Sequence, residues 1–220
     1  MRDFTHSIIV FIFIFLNGYR MKAQTELASP AGVYYLQGVM ETASELILKP
    51  DHRFEFLYSY GAVDRSGKGS WEIDKNNSSR LILNSAKRPL WDFALMNTKK
   101  TADNHTTIKI TDRNSMLLSY VYARIHSQEG VIEKRSDSHG YIVVPKQPIT
   151  KIELLFELCP ERFSTFVLDD SMPNNFEFRF EPWIAEVFFE DITLTITDKG
   201  LSGGHPLLKG NDFYFEKASQ

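Results

Sequence analysis

The chain has 220 residues, 43% of them hydrophobic, with 25 basic and 28 acidic side chains and a formal net charge of −3. That apolar share is enough for a sizeable core and excludes disorder as the default state. The mild acidity is broken by no Lys/Arg cluster beyond pairs such as Lys87-Arg88 and Lys99-Lys100, so neither a nucleic acid nor an anionic membrane held by electrostatics is an expected partner.

At the amino terminus, Arg2 precedes nine uninterrupted apolar residues, Ile8 to Leu16. Nine helical residues fall far short of the roughly 20 that cross a bilayer, so the pattern predicts a cleaved export signal over residues 1–23 and no stable membrane anchor. Cleavage after Ala23 or after Gly18 would each leave a small residue at the cut, and the Ala23-Gln24 ending resembles signals of diderm bacteria. Removing residues 1–23 takes away Arg2, Arg20, Lys22 and Asp3, which leaves a net charge of about −5. No cysteine lies near the cut to carry a lipid. The expected product is soluble and is secreted or periplasmic.

Beyond the signal the chain is written in period two, which sends successive side chains to opposite faces of a strand. Phe54, Phe56, Tyr58 and Tyr60 alternate with Arg53, Glu55, Leu57 and Ser59; Phe176, Phe178 and Phe180 alternate with Glu177, Arg179 and Glu181; Ile192, Leu194 and Ile196 alternate with threonines. Further strands are predicted at 33–40, 44–49, 69–73, 80–83, 90–96, 107–111, 118–125, 131–135, 141–144, 151–159, 162–168, 183–189 and 212–216. Turn-forming residues separate them at Pro50-Asp51, 74–79, 112–115, 136–140, 173–175 and 203–206. No stretch keeps a helical stripe for three turns, so the fold class is all-β: an N-terminal antiparallel meander or partial barrel, followed by a C-terminal β-sandwich. The polar, aperiodic run Asn97 to His105 sets the expected boundary, giving units 24–98 and 106–217. The last hairpin, Asp191 to Glu216, is free to pack on the first unit.

Two resemblances follow from these residues. Gly32 and Tyr34, then Asp51, Phe54 and Phe56, then Gly69 and Trp71 resemble the opening strands of lipocalin-like barrels. Ile108 to Leu118, followed by Asp137-Ser138-His139-Gly140-Tyr141-Ile142, resembles the transthyretin-like sandwich of carboxypeptidase regulatory-like domains, with Asn114-Ser115 where that family usually has a glycine turn. Asn tolerates φ > 0, so the turn is kept. The second resemblance implies a noncatalytic β module, often appended to secreted proteins, with no catalytic residues to carry over.

Searching for chemistry mostly excludes it. Gly200-Leu201-Ser202-Gly203-Gly204 matches a nucleophile elbow, but His205 precedes Asp212 and Pro206 prevents the helix that must follow, so a glycine-rich turn is expected. His52, His105, His126, His139 and His205 form no metal-binding spacing. Asp137 with His139, the nearest thing to a metal pair, and Asp51 with His52 are both expected to cap turns, and Asp169-Asp170 lacks the spaced oxygens of a calcium loop. No cofactor is implied. The lone Cys159 ends a strand bearing two glutamates, which would raise its pKa rather than activate it.

Glu41 and Glu45 form the one carboxylate pair that could serve hydrolysis of a carbohydrate, which needs two such groups roughly 5 to 9 Å apart. The aromatic stripes point instead to core, with Tyr58 and Tyr60 at the mouth of a cavity that Trp71 lines. Noncatalytic binding of a small molecule, glycan or envelope protein is the leading expectation. The alternatives are a carbohydrate hydrolase using Glu41 and Glu45, and an envelope assembly or adhesion protein that pairs through exposed strand edges.

Overall fold

The computed structural model describes residues 29–61, 63–169 and 172–219; the export signal expected over residues 1–23 lies outside the described residues. The chain opens as a meander of five strands: β1 (Gly32–Gln37), β2 (Thr42–Leu48), β3 (Arg53–Tyr60), β4 (Val63–Asp74) and β5 (Asn77–Asn84). Each pairs antiparallel with the next. The period-two stripes do what their chemistry requires: Phe54 and Phe56 are buried while Arg53, Glu55 and Leu57 face outward. Strand β4 begins six residues before the stripe Gly69 to Ile73 that marks it in the sequence. Its first half lacks an apolar stripe because Arg65, Gly67 and Gly69 take the inward positions there. A Cβ at Gly67 would stand 3.2 Å from the Phe189 ring, and one at Gly69 would stand 2.7 Å from the Phe54 ring, so these rings occupy the space.

Next come eight strands: β6 (Phe93–Lys99), β7 (His105–Thr111), β8 (Val121–Ser127), β9 (Gly130–Arg135), β10 (Tyr141–Pro145), β11 (Ile149–Phe156), β12 (Ser164–Val167) and β13 (Asn175–Phe180). They form two four-stranded sheets, ordered β10-β7-β13-β6 and β12-β11-β8-β9. All neighbours are antiparallel except β7 and β13. Ile108, Ile110, Ile142, Phe176 and Phe178 from the first sheet meet Val121, Ala123, Ile125, Ile152 and Leu154 from the second in one core. The expected strand 118–125 starts later than its sequence suggests. Ser115–Tyr120 is a 3₁₀ turn, capped by Asn114, whose side-chain oxygen accepts from the Met116 N–H at 3.1 Å. Asn114 is therefore extended, at φ −93°, and not in the left-handed region expected of a glycine substitute.

A two-residue strand, β14 (Glu186–Val187), then runs parallel to β4 at Ser66 and Gly67, and the rest of the expected strand 183–189 is turn and irregular chain. Three strands complete the chain: β15 (Ile192–Ile196), β16 (Gly200–Gly203) and β17 (Phe213–Lys217). β15 pairs with β5, β16 with β15 and β17, and β17 with β1, which closes an eight-stranded antiparallel barrel. The barrel is filled by Tyr34, Leu46, Phe54, Phe56, Trp71, Leu81, Leu83, Leu194, Leu201 and Phe215, with Val187 and Phe189 packed against them. Eight strands leave room for little more than side chains.

The run 97–105 is a different place from the boundary that its polarity suggests. It is the end of β6 and the loop into β7, two strands of one sheet, and the buried Asn174 ties it down: its side chain donates to the His105 carbonyl at 3.0 Å and accepts from the Thr101 N–H at 2.6 Å. Gly200–Gly203 is likewise a strand and not a turn. Its glycine lets the backbone lie against β17, where a Cβ at Gly200 would meet the Phe215 carbonyl at 2.1 Å.

Candidate functional site

The inward stripe of β3 runs from Phe54 and Phe56 at the core to Tyr58, half-buried, and on to Tyr60 at the strand's end, 53% exposed. Where β3 ends, the barrel meets the turn that follows β11. Tyr58, Tyr60 and Val63 from the barrel, Leu207 from the loop before β17, and Glu157, Leu158, Pro160 and Glu161 from the sandwich enclose a cleft of about 450 Å³. Burial raises the Tyr58 phenol above its ordinary pKa, so it stays protonated and can donate. The two acids on the wall are occupied: Arg135 Nε donates to Glu157 at 2.7 Å, and Glu161 holds Arg65 through both carboxylate oxygens.

That Arg65–Glu161 pair anchors the junction. The Arg65 side chain, 5% exposed, also donates to the carbonyls of Ala185 and Glu186, both at 3.4 Å. Beside it Arg162 makes a two-pronged bond to buried Asp92 at 2.9 and 2.6 Å, and Arg88 reaches Asp92 at 3.2 Å. Buried charges persist when paired and hydrogen-bonded, and each charge of this group has an opposite partner, although Arg88 Nε is buried without a hydrogen bond. Cys159 lies in the turn beyond β11, not on its strand face. Burial more than its acidic neighbours pushes the thiol up to about 11, which keeps it protonated and unreactive at neutral pH. Sequence reading missed this charge network, although two signals were present: Arg65 shares strand parity with Trp71 and Ile73, and Asp92 interrupts the apolar run Leu90 to Leu95.

His205 closes the barrel above the cleft. It is buried among Phe56, Tyr58, Phe213 and Phe215, with ring centroids 5.5 to 6.0 Å away. Its Nδ1 accepts from the N–H groups of Leu207 and Leu208 at 3.1 and 3.2 Å, so the proton sits on Nε2, 3.4 Å from the Ser44 hydroxyl. Desolvation lowers its pKa to about 4.

The remaining sites named from sequence lie elsewhere. Trp71 does not join Tyr58 and Tyr60: it pairs with Leu83, six residues along β4 from the Arg65 that faces Tyr58. There it is buried, donates from Nε1 to the Lys49 carbonyl at 3.0 Å and stacks on His52 at 4.4 Å, sealing the barrel's far end. Glu41 stands in the β1–β2 turn at φ 57°, whereas Glu45 is on the outer face of β2 between Tyr35 and Leu57. Four extended residues separate their Cα atoms by about 13 Å. Asp137 accepts from the N–H groups of His139 and Tyr141, both at 2.9 Å, and the Tyr141 bond is the main reason its pKa is lowered. It caps its own turn, and the nearest side-chain partner of His139 is Ser138, at 3.3 Å. Asp51 caps its turn in the same way, with Arg53. Among the described residues no group of three or more His, Cys, Asp or Glu side chains could hold a metal ion. Among them, too, no helix is long and apolar enough to cross a membrane.

Comparison with protein-family models, curated proteins and solved structures finds no match.

Proposed function

We propose that the chain is an exported, noncatalytic binding protein whose ligand enters the cleft between the barrel and the sandwich. The observation that carries this reading is the pair Tyr58 and Tyr60 on one wall of an apolar cleft, opposite Leu158 and Pro160. The acids of the wall are neutralised by Arg65 and Arg135, so the cleft favours a neutral ligand with a flat apolar face, such as a sugar ring. The turn geometry of Glu41 and the outward position of Glu45 favour binding over hydrolysis. The export pattern of residues 1–23 sets the encounter in the periplasm or outside the cell. The two stacked four-stranded sheets agree with the transthyretin-like reading of the sandwich, a noncatalytic module.

Titration of the full chain with cellotriose, maltotriose and chitotriose tests the cleft. At least one should bind, and Tyr60→Ala should weaken it about tenfold, the loss of one stacked ring worth about 1.4 kcal/mol. Binding left unchanged by both Tyr60→Ala and Tyr58→Ala would remove the ligand from this cleft.

A second reading, pairing with an envelope protein by strand addition, draws on β6. Among the described residues its only strand partner is β13, and Leu95 and Met96 stand exposed on it.

A further inference from the structure

The outer wall of the barrel carries a second concavity. Side chains of β1 to β4 that point away from the core, Tyr35, Ala43, Glu45, Leu57, Ser59 and Asp64, border a groove of about 420 Å³. The strand register puts them together. Tyr35 faces Glu45, Glu45 faces Leu57, Ala43 faces Ser59 and Ser59 faces Asp64, each pair on neighbouring strands. Opposed residues hold their Cβ atoms roughly 4.5 to 5.5 Å apart. The small Ala43 and Ser59 make the floor, while Tyr35 and Leu57, 46% and 49% exposed, make the apolar walls.

Charge in this groove runs one way. Among the described residues the Glu45 carboxylate has no hydrogen bond or ion pair and Asp64 is held only by the Ser59 hydroxyl at 2.7 Å, while Glu216 flanks Tyr35 from the other side. The cation among the lining residues, Arg65, turns its guanidinium into the junction, where Glu161 and two carbonyls retain it. An aromatic face and an apolar wall beside two unneutralised carboxylates suit a ligand with a short aliphatic chain and a positive end. A neutral sugar would leave the carboxylates uncompensated, and an anion would be repelled.

We propose that this groove is a binding site for small alkylammonium ions of the diamine or polyamine class, with one ammonium at Glu45, between Tyr35 and Leu57, and the other at Asp64, two strands away and offset by two residues, the methylenes crossing the groove between them. The groove opens on the outer side of β1 to β4; Tyr58 and Arg65 border both it and the junction cleft, but the carboxylates and apolar walls that define it do not line the cleft, so its ligand is tested independently.

The test is calorimetric titration of the full chain with 1,5-diaminopentane, using 1,5-pentanediol as the uncharged control. The diamine should bind saturably and the diol should not. Glu45→Gln, a change of charge without change of shape on a solvent-facing position, should weaken binding tenfold or more, and Tyr35→Ala severalfold. Raising the salt from 0.05 to 0.5 M should weaken it as well. Tyr60→Ala, in the junction cleft, should leave it unchanged. Absence of saturable binding, equal binding of the diol, or an unaltered affinity in Glu45→Gln would each overturn the proposal.

Discussion

His205 places an imidazole among four aromatic rings with two backbone N–H groups aimed at Nδ1. Burial strips the charged form of water, which is why its pKa falls to about 4. The unfolded chain titrates this group near the ordinary value of 6.5, so between about pH 6.5 and pH 4 the unfolded state holds more protons. The stability due to keeping His205 neutral is therefore full above pH 6.5 and drains away as pH falls toward 4, by about 3 kcal/mol in all. His205→Asn retains an acceptor for Leu207 and Leu208 but cannot titrate. Urea unfolding from pH 7 to pH 4 should show the variant's stability falling less steeply than the natural protein's; parallel curves would mean that the imidazole is not held neutral. Nothing local in Gly204-His205-Pro206 announces this role, because the rings around it come from β3 and β17.

At the scale of elements, β4 shows how a strand can be invisible in sequence and still be tightly constrained. Its inward positions read Arg65, Gly67, Gly69, Trp71, and only the last has the apolar character that marks a buried face. The glycines are there because the space is taken: a Cβ at Gly69 would sit 2.1 Å from the Asn84 carbonyl oxygen of β5 and 2.7 Å from the Phe54 ring. Gly69→Ala should cost about 3 kcal/mol in denaturant unfolding, since backbone and a packed ring must both move. Gly204→Ala, whose new methyl would have its nearest neighbours at 3.9 Å, should change stability little. Equal effects at the two positions would contradict the close approach of β4 to β5. The strands with clean alternation, such as Arg53–Tyr60 and Asn175–Phe180, were legible because each buries one face. Gly200–Gly203 was not, since its pairing with β17 depends on having no side chain at Gly200. Ser115–Tyr120 was misread because Leu117 and Leu118 extend the apolar pattern of β8 backward across a turn set by the Asn114 cap.

Across the whole molecule, the barrel is built from both ends of the described chain, with the sandwich strands between β5 and β15. All-β character follows from short-range alternation and could be read directly. Closure could not, since it joins Tyr34 to Lys217 and Leu83 to Ile192, pairings between strands more than 100 residues apart. The same holds for the candidate site. Tyr58 and Tyr60 could be recognised as residues at the end of an aromatic stripe, but the opposite wall, Leu158 and Pro160, reaches them only through the fold, and Arg65 with Glu161 fixes that meeting. Trp71 was expected to line the same mouth; the length of β4 carries it to the other end of the barrel.

As proposed above, the junction cleft holds a neutral ligand in the cell envelope. The most direct measurement is the mass of the protein recovered from a periplasmic preparation, taken first under native conditions and then after denaturation. The native mass should exceed the denatured mass by one bound molecule, with the share of protein carrying that excess reduced in Tyr60→Ala. A natural protein whose native and denatured masses are the same would contradict it.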